Sequence, residues 1–370
     1  MREIEVIYAK IVEKMGFEVE RIGTSIPYIP DEKTKRYPDM GEEDICWWTN
    51  GFWPGILWLL YHAIADERYR NAAEGVEARL DAAMHGFLGL HHDVGFLWLH
   101  SAVANYRLTK NAQSYARALH AATILAGRYN PRGKFIRSWN DDKVGWVIVD
   151  SMMNLNLLYW ASTVTGDPRF RFIATDHADT VLNKVVRDDG SCHHIVVLDP
   201  FSGKLLESPA GQGYAEGSSW SRGQGWALYG FALSYTHTKE ERYLQAAQKI
   251  AGYVLPQLEA EQHLPLVDFR APKQPVRYDS TASMIIACGL LELAKYPEVS
   301  DAGLYRAQAA SLVKAADRRF CNWNVDEDGI LGYGTAAYHS DQWNEVPIIY
   351  GDFFLLEAVL KLLGKDFLIW

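Results

Sequence analysis

Asp150 lies in an almost entirely apolar stretch, VGWVIVDSMMNLNLLYW, in which it is the only acid. Burial among such neighbours would raise the pKa of its carboxyl, so that it could hold a proton near neutral pH and transfer it. The alternative is structural: the side chain would cap the helix that begins at Ser151 by accepting backbone N–H bonds. The segment by itself leaves both interpretations open.

Asp93 has a similar setting in HHDVGF, because an apolar helix is predicted to begin directly after it. It too could be an N-cap, or it could be a second catalytic carboxylate. A metal site is a third possibility. However, the adjacent His91 and His92 cannot both easily face one ion, and no spaced partner such as HExxH follows. We therefore predict no metal at this motif.

Arg222 and Trp226 occur together in the glycine-rich segment GQGYAEGSSWSRGQGWALYGF. An arginine beside a tryptophan can clamp a carboxylate while the indole stacks on a sugar ring. A surface arginine next to a core tryptophan is the structural alternative. The glycines lack the G-x-G-x-x-G spacing after a strand, so no nucleotide-binding loop is predicted.

Other candidate contacts lie outside this segment. Trp47, Trp48 and Trp53 in WWTNGFWPG cannot all face the same way on one helix, so at least one is predicted to be free to stack on a ligand. His193 and His194 are adjacent in a predicted loop. A loop histidine is either hydrogen-bonded and solvated or a polar contact to a substrate, and the sequence leaves both open.

The composition excludes several classes of partner. The 370 residues carry a net charge of −9, which argues against nucleic acid. Polar residues interrupt the apolar runs before they reach the length of a membrane span, and the N-terminus lacks the pattern of a secretory signal. Four scattered cysteines suit a reducing cytoplasm, so we predict a cytoplasmic protein. The 13 Trp and 20 Tyr either fill a large core or line a sugar site.

Helical periodicity dominates the chain and predicts about twelve helices. In chain order they cover residues 3–16, 52–65, 67–84, 93–108, 111–128, 150–164, 168–185, 219–236, 240–257, 279–295, 302–319 and 347–363. Five of them, such as DERYRNAAEGVEARL, place an aromatic residue near the first turn and small residues one turn later. Each of these follows an apolar helix, so the unit is a helical hairpin repeated about six times.

The repeated helices are rich in charge and suit an outer layer, whereas their partners are apolar nearly all round and suit an inner one. This favours a closed ring over an open solenoid. We therefore predict an all-α fold, an (α/α)6 barrel, with residues 1–370 forming a single domain. The alternation around LDPFSGK predicts a small β-hairpin in one of the long loops, at the mouth of the barrel.

In such a barrel, Asp93 and Asp150 both lie at the start of an inner helix, and those ends open on the same face. Two coupled carboxylates at one mouth would have separated pKa values, which would leave one protonated and one ionised. Such pairs act on glycosidic bonds. The sequence therefore predicts a carbohydrate-active site at this end.

Several segments together resemble glycoside hydrolase family 88, the unsaturated glucuronyl hydrolases. They are HHDVGF, VGWVIVDSMMNL, GSSWSRGQGWALYGFA, DSTASMIIACGLLE and YGDFFLLEA, which lie far apart and in the same order over nearly the whole chain. The resemblance implies an (α/α)6 barrel, in agreement with the hairpin repeat. It also implies an enzyme that acts on disaccharides left by polysaccharide lyases, with no metal or organic cofactor.

The resemblance also implies roles for particular residues. Asp150 matches the family's general acid/base, and Asp93 its essential partner carboxylate. The positions that match substrate contacts are Trp48, Trp139, His193, Gln212, Arg222 and Trp226, to which we add Tyr338 of the last long loop. The implied reaction is hydration of the C4=C5 double bond of an unsaturated uronic acid. Asp150 would protonate C4 and then direct water to C5.

The chain departs from the family's pattern in places. Gly211 replaces a frequent histidine, and Asn50 replaces a common acid. The loop GYGTAAYHSDQWNEVP lacks the lysine that members acting on sulfated sugars tend to carry, which disfavours a sulfated substrate. The alternatives are an unsaturated rhamnogalacturonyl hydrolase acting on pectin fragments, a sugar epimerase or isomerase with paired histidines, and a non-catalytic repeat scaffold. Both a monomer and a homodimer are compatible with the sequence.

Overall fold

A computed structural model describes residues 2–340 and 342–370, and within these ranges all twelve predicted helices form. The predicted helix 93–108 consists of α5 and α6, joined by a π-helical turn, Leu99–Val103. In chain order the helices are α1 (Arg2–Ile22), α2 (Met40–Glu43), α3 (Phe52–Ile64), α4 (Glu67–Gly86), α5 (Val94–Trp98), α6 (Ala104–Thr109), α7 (Ala112–Ala126), α8 (Ser151–Thr165), α9 (Pro168–Lys184), α10 (Ser221–Thr238), α11 (Glu241–Ala260), α12 (Ser280–Leu293), α13 (Ala302–Arg319) and α14 (Ile349–Leu363). The short α2 was not predicted.

The apolar helices form a closed inner ring. Around the ring, α3 contacts the α5–α6 helix, which contacts α8, and α8, α10, α12 and α14 follow until α14 contacts α3 again. Every residue from Ser221 to Tyr235 in α10 is buried, as expected for a helix without a polar face. The fold is therefore the predicted (α/α)6 barrel.

The outer layer shows one difference from the predicted repeat. Five outer helices, α4, α7, α9, α11 and α13, each follow their inner partner along the chain. The sixth pair joins the two ends of the chain, because α1 packs against α14. Within the described residues, the ring is thus closed by the termini rather than by a sixth consecutive hairpin.

Short strands form two small sheets in the long loops. The predicted hairpin around LDPFSGK is present as β4 (Ile195–Leu198) and β5 (Leu205–Glu207). Its other edge pairs antiparallel with β3 (Trp146–Ile148), so the sheet has three strands. A separate pair, β1 (Tyr129–Asn130) and β2 (Phe135–Ile136), was not predicted. Because β3 leads directly into Asp150, the larger sheet lies at the mouth of the barrel, as predicted.

The C-terminal tail closes the other end of the ring. Arg107 donates hydrogen bonds to the backbone carbonyls of Leu368 and Trp370, the second at 3.0 Å. The Trp370 indole is fully buried and stacks on Phe354 with 6.0 Å between ring centroids. Within residues 2–340 and 342–370, the helices lack the combination of length and apolarity needed to cross a bilayer.

Candidate active site

The first turns of consecutive inner helices meet at one end of the barrel. Asn154 in the first turn of α8 donates a 2.9 Å hydrogen bond from Nδ2 to Oδ1 of Asp93, which precedes α5. Arg222 at the start of α10 forms a 2.5 Å ion pair with Asp279, which precedes α12. The predicted placement of both carboxylates at one mouth is therefore observed.

Neither Asp93 nor Asp150 caps its helix. Each occupies the residue before the first helical turn, but among the described residues its side chain makes no capping hydrogen bond. Three outer helices differ, because Asp66, Asn111 and Asp167 accept backbone N–H bonds at the starts of α4, α7 and α9. The structural alternative for the two inner acids was thus wrong. Their oxygens are available for other contacts.

His92 lies between the two carboxylates. Its Nε2 is 3.4 Å from Oδ2 of Asp93 and 4.0 Å from Oδ1 of Asp150. His91 approaches Asp93 from the other side, with 3.3 Å between Nδ1 and Oδ2. The two imidazoles and the carboxylate have donor atoms within 4.8 Å of one another, so the expectation that adjacent histidines cannot converge was wrong. The absence of a metal remains a prediction.

The two acids have opposite pKa shifts. Burial raises the pKa of Asp150 well above its ordinary value, and the negative charge of Asp93 raises it further. For Asp93, burial also opposes ionisation, but His92, His91 and the Asn154 amide outweigh it and lower the pKa. These opposite directions favour a proton on Asp150 and a negative charge on Asp93, as the coupling of two nearby carboxylates predicts.

Gly95 allows the helices that carry these acids to approach each other. A Cβ at this position would lie 2.4 Å from Oδ1 of Asn154 and 2.6 Å from its Cα, so any side chain would separate α5 from α8. The same Asn154 oxygen accepts a 2.8 Å hydrogen bond from the Phe96 backbone N–H. Asn154 thus fixes the spacing of Asp93 and Asp150.

The guanidinium of Arg222 is buried, and it contacts a tryptophan other than the one predicted. It lies 4.5 Å from the ring of Trp220 and 5.5 Å from that of Tyr350. Its Nη1 is bonded to Asp279 and its Nη2 to the Ala336 carbonyl at 2.6 Å. The arginine is therefore positioned by a buried ion pair beside the mouth, and the Arg222–Trp226 clamp was wrong in its aromatic partner.

Trp226 and Trp48 differ in how much of the indole ring is accessible for stacking on a sugar. Trp226 is 1% exposed, because Phe96, Phe354 and Tyr350 pack around its indole. This packing leaves no open ring face, so Trp226 is a wall beneath the site rather than a stacking surface. Trp48 is half-buried and lies 5.0 Å from the Tyr350 ring, which leaves part of its indole accessible.

Of the two adjacent histidines, the structure places His194 rather than His193 in the cluster. His193 is turned towards Arg187, whose Nη2 lies 3.1 Å from its Nδ1. His194 is buried, accepts a 2.9 Å hydrogen bond at Nδ1 from the Gln212 backbone N–H, and lies 4.3 Å from the Trp220 ring. Burial and the nearby Arg222 lower the pKa of His194 to about 3, so it is neutral.

The remaining predicted contacts lie at different depths. Gln212 donates a 2.5 Å hydrogen bond to the Ala336 carbonyl that Arg222 also binds, which places it next to the arginine. Tyr338 faces away, with its ring packed against Tyr214 at 4.9 Å and near Arg277. Among residues 2–340 and 342–370, Tyr338 meets the cluster through its backbone N–H, which binds the Gln212 carbonyl at 2.9 Å.

Trp139 is half-buried and stacks on Trp146, with 5.5 Å between ring centroids. The ammonium of Lys143 lies over both rings, at 4.6 and 4.7 Å. The residue before Trp139 accepts a 3.1 Å hydrogen bond from the His92 backbone N–H. Trp139 is therefore tied to the segment that carries Asp93.

A cavity of about 790 Å³ adjoins the aromatic side of this cluster. Its walls include Tyr28, Trp47 and Trp343, and Tyr28 lies 5.3 and 5.9 Å from the other two rings. The Tyr28 carbonyl accepts a hydrogen bond from Ile349, the residue next to Tyr350. Neither Asp93 nor Asp150 lines the cavity. It offers space for a flat ligand on the Tyr350 side of the cluster.

Sequence reasoning missed several members of the cluster. They are Asn154, Trp220, Asp279 and Tyr350, whereas His194 was named only beside His193. Asn154 carried a signal, because it is a polar residue in the first turn of a largely apolar inner helix. The others became recognisable only through contacts between segments that lie far apart in the chain.

Comparison with known proteins gives a consistent result. Residues 24–236 match the model of Glycosyl Hydrolase Family 88. The chain is 33% identical over 353 residues to the unsaturated glucuronyl hydrolase of Bacillus sp. (strain GL1), covering 93% of this chain and 92% of that protein. It is also 33% identical over 341 residues to the unsaturated chondroitin disaccharide hydrolase of Streptococcus pyogenes serotype M1, covering 90% and 84%.

Solved structures agree with these relatives. The crystal structure of the Bacillus sp. GL1 unsaturated glucuronyl hydrolase, responsible for the degradation of glycosaminoglycan, superposes with a TM-score of 0.90 at 31% identity, covering 96% of both chains. A mutant of the unsaturated glucuronyl hydrolase of Streptococcus agalactiae, complexed with dGlcA-GalNAc6S, superposes with a TM-score of 0.86 at 28% identity, covering 99% of this chain and 93% of that one.

Proposed function

The chain belongs to glycoside hydrolase family 88, and on that basis we propose that it releases the 4,5-unsaturated uronic acid from the non-reducing end of lyase-generated oligosaccharides. The observation that carries the proposal is the pair of buried carboxylates at the barrel mouth, which flank His92 at 3.4 and 4.0 Å; burial raises the pKa of Asp150, and the neighbours of Asp93 lower its pKa. The relatives hydrolyse unsaturated glucuronyl and chondroitin disaccharide substrates, which favours this activity over a rhamnogalacturonyl hydrolase or an epimerase.

In the proposed reaction, Asp150 supplies the proton. The unsaturated uronic acid is a vinyl ether, and the electron pair of its C4=C5 bond takes the proton from Asp150 to form a C4–H bond. Positive charge then develops at C5 and the ring oxygen. The raised pKa of Asp150 supports this role, because it keeps the carboxyl protonated near neutral pH. Ionised Asp93 adds negative potential near the developing cation.

Asp150 then acts as the base. As a carboxylate, it takes a proton from the water whose oxygen attacks C5, and a hemiketal forms. The hemiketal opens and expels the second sugar, which yields a keto uronate and a free sugar. One carboxyl thus donates and recovers a proton in each turnover, and no metal or organic cofactor takes part.

Around this pair we propose two kinds of substrate contact. Trp48 and Trp139 are half-buried and can stack on sugar rings, and Gln212 and Arg222 supply polar contacts beside them. His194 takes the place proposed for His193, because its ring is the one that faces Gln212. The aromatic cavity next to Tyr28 would hold the leaving sugar.

Purified protein incubated with an unsaturated chondroitin disaccharide tests this function. We expect the ultraviolet absorbance of the conjugated enoate to disappear. With the Asp150→Asn variant, the absorbance should stay unchanged. With the control variant Asp326→Asn, whose substituted side chain is exposed, the absorbance should disappear at the wild-type rate. Unsaturated disaccharides from hyaluronan, heparin, gellan and pectin form the other arms. Persistence of the band in every arm would refute the proposal, and consumption of the pectin fragment alone would favour the rhamnogalacturonyl alternative.

We further propose that the enzyme is cytoplasmic and is a monomer or a homodimer. The four cysteines are all unpaired in the structure, which supports a reducing compartment. Size-exclusion chromatography with light scattering would distinguish the two oligomeric states.

A further inference from the structure

We propose that His92 is a positioning residue whose Nε2–H is shared between Asp93 and Asp150 during the reaction, an inference that rests on the proposed function. His92 is fully buried, and its Nε2 is within 3.4 Å of one carboxylate and 4.0 Å of the other. It therefore faces both carboxylates from one position.

The proton on His92 can be assigned from its neighbours. Burial lowers the pKa of His92 to about 4, so the ring is neutral and carries one N–H. A bare lone pair at Nε2 facing the ionised Asp93 would be repulsive, so the hydrogen lies on Nε2. Among the described residues, neither ring nitrogen makes a hydrogen bond, so the assignment rests on the Asp93 carboxylate that faces Nε2.

Two groups that face each other lack hydrogen-bond partners within residues 2–340 and 342–370. They are Nε2 of His92 and Oδ1 of Asp150, and both are buried. Buried polar atoms are almost always paired, and exceptions call for an explanation such as a catalytic role. While Asp150 is protonated, its Oδ1 does not require a hydrogen-bond donor. A hydrogen bond from His92 Nε2–H to Oδ1 stabilises Asp150 once the carboxyl has lost its proton.

The hydrogen-bond acceptor of His92 is therefore expected to change when Asp150 loses its proton. Before the reaction, Nε2–H is nearer to Asp93, which is the anion of the pair. When Asp150 transfers its proton to carbon, it becomes a second buried anion beside Asp93, and this charge has a high free energy without a donor. A small movement of the imidazole would shorten the 4.0 Å separation to hydrogen-bond length. His92 would then stabilise the charge that develops on Asp150.

The backbone N–H groups of Asp150 and Ser151 also favour ionisation of the Asp150 carboxyl, but they do not reach Asp93. His91 faces the Asp93 carboxylate, and the Asn154 amide donates to that carboxylate and, at 3.4 Å, to the backbone carbonyl of Asp150. Arg222 lowers the pKa of Asp150 through its charge, but the hydrogen bonds of its guanidinium go to the Asp279 segment and the loop at Ala336. Arg128 affects Asp93 through charge, and its bonds are to backbone carbonyls and Asn140. In the described structure, His92 is the side chain that faces both acids.

Steady-state kinetics on an unsaturated disaccharide tests the inference. His92→Phe keeps a ring but removes the donor, and kcat should fall about 100-fold with KM changed less than threefold, because the lost stabilisation belongs to the transition state. His92→Gln keeps an amide N–H at the ε position and should recover kcat to within tenfold of wild type. The acid limb of kcat/KM should move to higher pH in His92→Phe alone, because Asp93 loses a donor that holds it ionised.

His100→Gln is the matched control, because His100 is equally buried, lies in the π-helical turn that follows α5, and contacts aromatic rings rather than the acids. It should change the melting temperature but not kcat or the pH profile. If His92→Phe does not fold, His92→Met replaces it. Wild-type kcat in the donor-free variant, or no recovery with Gln, would overturn the inference. An inactive wild type would instead refute the proposed function.

Discussion

The two ends of the barrel treat buried acids in opposite ways. At the mouth, Asp93 and Asp150 have histidine and amide neighbours. Among the described residues, no lysine or arginine forms an ion pair with either acid. Near the other ends of the inner helices, Lys361 binds Glu292 at 2.8 Å and lies 4.0 Å from Glu357. The same apolar ring thus contains one acid pair without a permanent counter-charge and one pair with a lysine.

The difference shows what separates a structural acid from a reactive one. Glu292 is buried as deeply as Asp93, yet Lys361 and Lys295 overcome the effect of burial and lower its pKa to about 2. Asp150 lacks such a partner, so its carboxyl keeps a proton. Burial alone therefore does not identify a catalytic acid. Between Glu292 and Asp150, the lysines beside Glu292 make the difference in pKa.

The largest effect is expected for Asp150→Asn. Loss of the acid should lower kcat about 10⁴-fold, near the upper limit for a positioned acid–base group. Stability should not fall. A raised pKa means that folding takes up a proton near pH 7, which opposes folding, and the neutral amide removes this effect. Differential scanning calorimetry should give an equal or higher melting temperature. A strongly destabilised variant would contradict the view that Asp150 is protonated.

Lys361→Met should have the next largest effect, and on stability rather than rate. Removing the cation leaves Glu292 buried without its closest counter-charge, so the free energy of unfolding should fall by about 3–5 kcal/mol. Urea denaturation would measure this, while kcat of the folded fraction should stay within twofold of wild type. A large loss of kcat would mean that the two ends of the barrel are coupled.

Asp93→Asn should lower kcat about 100-fold and should also change the pH profile. The negative charge of Asp93 raises the pKa of Asp150, so its removal lowers that pKa. The alkaline limb of kcat/KM, where Asp150 loses its proton, should therefore move to lower pH. A rate profile from pH 4 to 9 would measure this shift. An unchanged alkaline limb would show that burial alone sets the pKa of Asp150.

Features that depend on local sequence patterns could be predicted from the sequence, whereas contacts between distant segments could not. Apolar inner helices and charge-rich outer helices are local patterns, so the barrel and the placement of Asp93 and Asp150 at its mouth were predictable. The choice of His194 over His193 was not, because adjacent residues at a strand end face opposite sides and a change of one position exchanges them. The Arg222–Trp220 contact was also hidden, since Trp220 precedes the helix whose periodicity pointed to Trp226.

The smallest effect is expected for Glu357→Gln, which tests whether the two glutamates beside Lys361 are equivalent. Burial raises the pKa of Glu357, whereas that of Glu292 is lowered, so the two acids on Lys361 are not equivalent. Oε1 of Glu357 accepts hydrogen bonds from the Tyr229 hydroxyl at 2.8 Å and the Trp370 indole at 2.9 Å, and a glutamine oxygen can accept both. The free energy of unfolding should therefore change by less than about 1 kcal/mol. Glu292→Gln, measured in the same urea series, should lower it by about 3 kcal/mol, because Lys361 then lacks its ionised partner. Equal losses of unfolding free energy in the two variants would mean that Lys361 keeps both glutamates ionised. In that case the presence of the lysine alone would distinguish these glutamates from Asp150.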